Sequence, residues 1–186
     1  LTVLPTTDFN GDLTVTVYGS DADGTGDGTS FTLTVTPVND APVVDVIDDA
    51  SVAEDTAYTV DVSASDADDD AVTFDVYVNS GSASIDGSAL TVTPATDFNG
   101  DITVTVFAND GVLSGTETFT LTVTEVNDAP ELATISDQTI DEDSSLTLTL
   151  SASDVDGDTL TYSAINGDAT ITVDGNTLTV TPVEDY

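Results

Sequence analysis

The acidic side chains are the reactive groups of this chain, because no basic or sulfur-containing side chain accompanies them. The 186 residues include 36 Asp and Glu, and Lys, Arg, His, Cys and Met are all absent. Nucleophilic catalysis needs a base such as His or Lys to activate the nucleophile. Paired carboxylates can serve a glycosidase, but that chemistry also requires a cleft and one acid with a raised pKa. We therefore expect that this segment is not an enzyme.

Carboxylates without basic partners repel one another, remain hydrated or bind cations. Two unit charges ~4 Å apart repel by about 4 kcal/mol at an effective dielectric constant near 20. Clustered acids in a folded protein therefore favour a bound metal ion or high salt. The net charge of −36 also disfavours nucleic acid and anionic membranes as partners. Since the sequence lacks a long apolar run, we predict no membrane insertion in this segment.

The acids are concentrated at turns between predicted strands, which a Greek-key sandwich would bring to its two ends. The turns expected at one end, the upper pole, carry Asn39, Asp40, Asp66, Asp68, Asp70 and Asp110. The turns expected at the other end, the lower pole, carry Glu54, Asp55 and Asp97, next to Asn127 and Asp128 of the following linker. Calcium takes about six to eight oxygen ligands, whereas zinc is disfavoured without His or Cys. The pattern predicts calcium as the cofactor.

A second acidic stretch, DADGTGDG from Asp21, resembles the start of an EF-hand loop. Gly26 stands at the expected position, but Thr32 occupies the twelfth, where a bidentate Glu is needed. We favour a long hairpin loop for this stretch over a calcium-binding EF-hand.

Apolar residues alternate with period two, which is typical of half-buried strands. In the best-defined stretch, Ile102, Val104 and Val106 share one face, and threonines occupy the other. We predict seven strands near 43–47, 57–65, 72–78, 82–86, 89–93, 101–108 and 117–124. Short, evenly spaced strands without a helical pattern predict an all-β, seven-stranded Greek-key β-sandwich.

The sequence repeats itself about every 88 residues. VNDAP begins at 38 and again at 126, and a further landmark occurs as LTVLPTTDFNG at 1–11, LTVTPATDFNG at 90–100 and LTVTPVEDY at 178–186. Such self-similarity indicates tandem modules arranged end to end. We expect the C-terminal part of one module at 1–38, a complete module at 39–126 and the N-terminal part of the next at 127–186.

Five motifs of the module resemble those of cadherin repeats. ASDADDDAVTFDV is similar to the Asp-x-Asp calcium motif, VNDAP to the interdomain linker and AEDT to the acidic motif after the first strand. TDFNG and AND occupy the places of the other two ligand motifs. The amino-acid sequences of these motifs, especially DFNG and VNDAP, are closest to those of the cadherin-like repeats of bacterial calcium-dependent surface adhesins. The resemblance covers the whole chain.

The resemblance implies that calcium sits between successive modules. The ligands it implies at the junction around 37–42 are Asp8, Asn39, Asp40, Asp66, Asp68 and Asp110. Those at the junction around 125–130 are Glu54, Asp97, Asn127, Asp128, Asp154 and Asp156. Asn10 and Asn99 stand where the family has a second acid, and this departure removes either one ligand or one ion from the implied sites.

These features lead to two functional hypotheses. The first is a calcium-rigidified stalk or filament segment of an extracellular, adhesin-type bacterial protein, secreted or on the cell surface. The second is a repeat that itself binds glycans or like chains, with Tyr18 and Phe107 on the threonine face as candidate stacking residues. Because 1–38 and 127–186 together hold one module's worth of predicted strands, we expect them to be completed by further sequence or by copies in a head-to-tail filament.

Overall fold

The computed structural model describes residues 1–166 and 169–183. Within these ranges the chain forms strands and turns, and the structure contains no helix that could cross a membrane. Glu184–Tyr186, the end of the third landmark, lie outside the described residues. The chain divides into two compact units, Leu1–Thr124 and Glu125–Tyr186.

The first unit contains two larger sheets and three small ones. Its strands are β1 Gly11–Val17, β2 Ser20–Asp21, β3 Gly24–Thr25, β4 Thr29–Val35, β5 Val43–Val44, β6 Ala50–Ala53, β7 Tyr58–Asp61, β8 Ala64–Ser65, β9 Thr73–Val78, β10 Ser82–Asp86, β11 Ala89–Thr93, β12 Gly100–Asn109 and β13 Ser114–Thr124. The larger sheets have the orders β6-β13-β12-β9 and β10-β11-β7. The pairs β1-β4, β2-β3 and β5-β8 form the small sheets.

The core lies between the two larger sheets, where the alternating apolar residues meet. Ile102, Val104 and Val106 of β12 are fully buried, as are Leu90 and Val92 of β11. The threonines between them point outward, as the period of two requires. The remaining buried apolar residues of this core are Val44, Val62, Ala108, Phe119, Leu121 and Val123. The predicted all-β sandwich is confirmed.

The predicted strand at 57–65 is divided in the structure. Tyr58–Asp61 (β7) pairs with β11, whereas Ala64–Ser65 (β8) pairs with β5. Val62 lies at the division, is only 3% exposed and donates its backbone N–H to the carbonyl of Ser88 at 2.8 Å. Because Val62 is buried in the core at this point, the alternation of apolar and polar residues continues unbroken from β7 into β8, although the two strands belong to different sheets.

The predicted strand at 43–47 is reduced to Val43–Val44, and Val46 is 81% exposed. A strand that the alternation did not indicate follows instead at Ala50–Ala53, β6. It pairs in parallel with β13, from Leu121 opposite Ala50 to Thr124 opposite Ala53. The small side chains of Ala-Ser-Val-Ala give little periodic signal, so tertiary pairing with β13 determines this strand.

The second unit repeats the pairing pattern of the first. Its strands are β14 Glu131–Leu132, β15 Leu146–Thr149, β16 Ala152–Ser153, β17 Ala169–Asp174 and β18 Thr177–Pro182. β14 pairs with β16, and β15, β18 and β17 form a three-stranded sheet in that order. Shifted by 88 residues, these strands overlap β5, β7, β8, β10 and β11, so the sequence repeat is also a structural repeat.

Candidate metal centre

The upper pole of the first unit begins with the linker that follows β4. The side-chain amide of Asn39 donates to Oδ2 of Asp110 at 2.8 Å and to the backbone carbonyl of Asp40 at 2.9 Å. Asp110 lies in the turn between β12 and β13. The predicted meeting of the linker with this turn is therefore present in the structure.

The same linker also contacts the acidic turn between β8 and β9. The backbone N–H of Asp40 donates to Oδ2 of Asp68 at 2.8 Å. Oδ1 of Asp66 accepts the backbone N–H groups of Asp68 at 2.9 Å and Asp70 at 3.2 Å. One oxygen of Asp66 therefore caps the turn, and one oxygen of Asp68 holds the linker.

Three carboxylates of this turn lie close together. Asp66, Asp68 and Asp70 each offer a carboxylate oxygen, and these oxygens lie within 4.8 Å of one another. Oδ2 of Asp66 is buried and has no hydrogen-bond partner among the described residues. Buried polar atoms almost always have a partner, because an unmade bond costs about 1–3 kcal/mol. A cation held by these oxygens would satisfy that atom and offset the repulsion.

Asp110 is held in its ionised form. Its Oδ1 accepts the backbone N–H groups of Val112 at 2.6 Å and Leu113 at 2.7 Å. The hydrogen bond from Leu113 is the main cause that lowers the pKa of Asp110 below its ordinary value of 3.8, followed by those from Asn39 and Val112. Asp110 is thus an anionic oxygen donor at neutral pH.

Asp8 reaches the same region from the turn before β1. It lines a depression of about 380 Å³ together with Asp40 and Asp68. Its φ of 58° is in the left-handed region, which Asp tolerates better than most residues. Asp97, at the equivalent turn before β12, has a φ of 53°.

The lower pole of the first unit is built from the turns that follow β6 and β11. Glu54 is buried, only 4% exposed, and its backbone N–H donates to the carbonyl of Thr124 at the end of β13. The backbone N–H of Asp97 donates to Oδ1 of Asp55 at 3.2 Å. The two predicted lower-pole turns therefore meet within this unit.

The second unit repeats the upper-pole geometry with its own residues. Asn127 donates its side-chain amide to the carbonyl of Asp128 at 2.7 Å, and the backbone N–H of Asp128 donates to Oδ2 of Asp156 at 2.7 Å. Oδ1 of Asp154 accepts the backbone N–H of Asp158 at 3.1 Å. Asn127, Asp128, Asp154 and Asp156 thus occupy the same hydrogen-bonded positions in the second unit as Asn39, Asp40, Asp66 and Asp68 in the first.

One acid of the first unit's cluster is missing from the ligand set that the cadherin resemblance implied. Asp70 is the third member of the Asp66–Asp68 group, although the resemblance carried over only the first two. The spacing of two residues between these acids is visible in the sequence and provides the signal. Asp158 occupies the corresponding position 88 residues later.

Comparisons with known proteins identify the repeat. The family described as bacterial Ig domain matches residues 39–124 and 127–186. Chitinase A of Pseudoalteromonas piscicida is 34% identical over 134 residues, which cover 67% of this chain and 16% of that protein. This chain therefore spans less than a fifth of the length of that curated relative.

Several solved structures are also similar to the chain. Drosophila N-cadherin EC1-4 has a TM-score of 0.46 and 17% identity, covering 94% of this chain and 49% of that chain. Human mucin-like protocadherin EC1-2 has a TM-score of 0.44 and 20% identity, covering 68% and 74%. An endo-fucoidan hydrolase from glycoside hydrolase family 107 has a TM-score of 0.38 and 20% identity, covering 96% and 30%. Similarities at this level say nothing about function.

Two consecutive matches to one family cover well over half of the chain. They agree with the repeated strand pairing of the two units and with the repeated turn geometry. The expected tandem, Ig-type β-sandwich repeats are therefore confirmed. The chain belongs to the bacterial Ig domain family.

Proposed function

We propose that this chain is a calcium-rigidified structural segment of an extracellular or cell-surface bacterial protein of the adhesin type. The observation that carries the proposal is the buried Oδ2 of Asp66, which lacks a hydrogen-bond partner among the described residues. It belongs to a group of three carboxylates in a chain without a single basic side chain. Calcium, a hard cation with oxygen ligands, fits this donor set.

The proposed mechanism is electrostatic. Without calcium, the acids of the upper pole repel one another, and the linker at 38–42 is held by the hydrogen bonds of Asn39 and Asp40 and by the packing of the buried Pro42. With calcium bound, the turn and the linker share an ion and move as one body. The proposed ligands are Asp8, Asn39, Asp40, Asp66, Asp68, Asp70 and Asp110, and also Glu54, Asp97, Asn127, Asp128, Asp154 and Asp156. Extracellular calcium modules have dissociation constants of roughly 10⁻⁴–10⁻³ M, so extracellular calcium would keep such sites loaded.

We place the module boundaries at the two VNDAP linkers, which gives segments 1–38, 39–126 and 127–186. The proposed partners are calcium ions and neighbouring modules of the same kind. We assign no catalytic role to this segment. Chitinase A carries a similar stretch within a much longer protein. A repeat that spaces the domains of a secreted polysaccharide hydrolase would have the same mechanical role as one in an adhesin stalk.

Glycan binding is the second candidate function. Tyr77 of β9 is 63% exposed and lies opposite Thr105 on β12, on the outer, threonine-lined face of the four-stranded sheet. An aromatic ring among hydroxyl groups is suited to stacking on a sugar ring. Sedimentation with insoluble chitin tests this function, since Tyr77→Ala should abolish any binding and Tyr58→Phe, at a partly buried position, should not.

Thermal unfolding with and without calcium tests the first function. A ligand present at ~10–100 times its dissociation constant stabilises the folded state by about 1.4–2.7 kcal/mol. For a domain of this size the melting temperature should rise on the order of 10 °C in about 10 mM calcium. Magnesium, which prefers octahedral geometry and retains its waters, should have a much smaller effect. Equal melting in calcium and in chelator would refute the calcium proposal.

A further inference from the structure

Two asparagine–glycine pairs occupy the same turn of successive repeats. Gly11 and Gly100 are the first residues of β1 and β12, and their φ angles are 122° and 125°. Residues with a side chain rarely adopt such angles, so the backbone favours glycine at both positions. The asparagine before each glycine is exposed. The turn therefore keeps an exposed asparagine directly before a glycine, whose missing side chain removes a steric obstacle to attack by its backbone nitrogen.

The side-chain amides of Asn10 and Asn99 are also unrestrained. Within 1–166 and 169–183, no hydrogen bond involves either side chain. Other asparagines differ in this respect. Oδ1 of Asn79 accepts the backbone N–H of Thr103 at 2.9 Å, and the amide of Asn109 donates to Ser114 at 2.9 Å. The amide of Asn39 donates to two acceptors, as described above.

We propose that Asn10 and Asn99 are sites of spontaneous deamidation in the folded chain. The backbone nitrogen of the following glycine attacks Cγ of the asparagine and forms a five-membered succinimide ring. The side-chain nitrogen leaves as ammonia and takes up the proton that the glycine amide loses. Water then opens the ring at either carbonyl, which gives aspartate or isoaspartate. The net reaction consumes one water and releases one ammonia, without an oxidant or a reductant.

The reaction changes the lower pole in two ways. A new carboxylate at position 99 lies two residues from Asp97, whose backbone is bonded to Asp55, so the local negative charge increases. Isoaspartate also adds a methylene to the main chain at the entrance to β12, where Gly100 pairs with Val123. As the protein ages, the negative charge of the chain would thus increase and the backbone just before β12 would lengthen. This inference does not depend on calcium binding.

Peptide mass spectrometry of the aged protein tests the proposal. The folded chain is incubated at 37 °C and mildly alkaline pH for days, then digested with pepsin at low pH, since trypsin has no cleavage site in a chain without Lys or Arg. Peptides with Asn10 or Asn99 should gain about one dalton, as expected when an amide becomes a carboxylate. Peptides with Asn39 or Asn127, each followed by Asp, should keep their mass. Asn166 also precedes a glycine, so the mass of the peptide that contains it is measured separately.

A variant and an unfolded reference make the test decisive. Asn99→Gln keeps an amide but disfavours the five-membered ring, so it should block the mass gain at 99 and leave Asn10 reacting as before. In urea, Asn10 and Asn99 should react within about tenfold of their folded rates, because hydrogen bonds do not hold their side chains in the described part of the folded chain. If the folded chain deamidates Asn10 and Asn99 no faster than Asn127, or about a hundredfold more slowly than in urea, the proposal is overturned.

Discussion

The backbone N–H of Asp40 donates to Oδ2 of Asp68 at 2.8 Å, and the same bond recurs 88 residues later between Asp128 and Asp156 at 2.7 Å. In both units, the linker is therefore held by a carboxylate from the acidic turn that follows the second predicted strand. The linker and the acidic turn therefore form one hydrogen-bonded unit at the upper pole.

Asp68→Asn should weaken calcium binding while keeping the linker in place. The amide oxygen of Asn still accepts the N–H of Asp40, but one charged ligand is lost, so we expect about a tenfold or greater loss of affinity by calorimetry. In chelator the same variant should melt at or above the temperature of the original protein, because a repulsive charge is gone.

Asp69→Asn is the matched control for this prediction. Asp69 is exposed and has a φ of 60°, which Asn tolerates well, and its carboxylate is outside the group of three. Calcium affinity should therefore remain within about twofold of the original. Equal losses in Asp68→Asn and Asp69→Asn would show that only total charge matters and that the proposed ligand set is wrong.

Asp110 should contribute stability that depends on pH. Hydrogen bonds lower the pKa of Asp110 in the folded chain. The ionised group therefore stabilises the fold at pH values above 3.8, the ordinary pKa of an Asp side chain. This contribution is lost as the pH falls through the lower, folded value. In chelator, Asp110→Asn should therefore reduce the free energy of unfolding at about pH 6 and reduce it less near pH 3. Urea titrations at both pH values measure the difference, and a constant difference would contradict the assignment.

Gly115→Ala should displace the linker from β13. A Cβ at position 115 would lie 1.8 Å from the carbonyl oxygen of Pro42, which is backbone and has little room to move. We expect a loss of about 2 kcal/mol or more in the free energy of unfolding, measured by urea denaturation. Gly19→Ala is the control, because nothing lies within 4 Å of its added Cβ and its φ lies outside the range that side chains rarely adopt. A neutral Gly115→Ala would mean that Pro42 does not pack on β13 in solution.

Leu121→Ala should destabilise the sandwich itself. Leu121 is fully buried between the sheets, and such truncations cost about 2–5 kcal/mol. Thr122→Ala, at the exposed neighbouring position, removes one hydrogen bond to Asp101 and should cost about 1 kcal/mol or less. Circular dichroism during urea unfolding compares the two, and similar losses would indicate a core that differs from the one described.

Much of this fold follows from alternation, since a period of two already separates Ile102, Val104 and Val106 from the threonines around them. Alternation fails to predict the strands at places where tertiary contacts determine the pairing. It continues through Val62, although the chain leaves one sheet there, and it is absent at Ala50–Ala53, where pairing with β13 forms the strand. The positions of the acids at the turns of an expected Greek-key sandwich likewise predicted which turns meet. It could not show that Asp66 uses one oxygen to cap its own turn, because that depends on local backbone geometry.

The parallel pairing of β6 with β13 has a mechanical consequence. In the proposed module at 39–126, β6 lies near the start and β13 at the end, so tension between the two linkers would pull these strands in opposite directions along their common axis. Four residue pairs, from Ala50 and Leu121 to Ala53 and Thr124, then bear the load together in shear. An antiparallel pair pulled from its adjacent ends would instead open one bond at a time. The short strand that the sequence pattern does not reveal is thus the part of the module best placed to resist force.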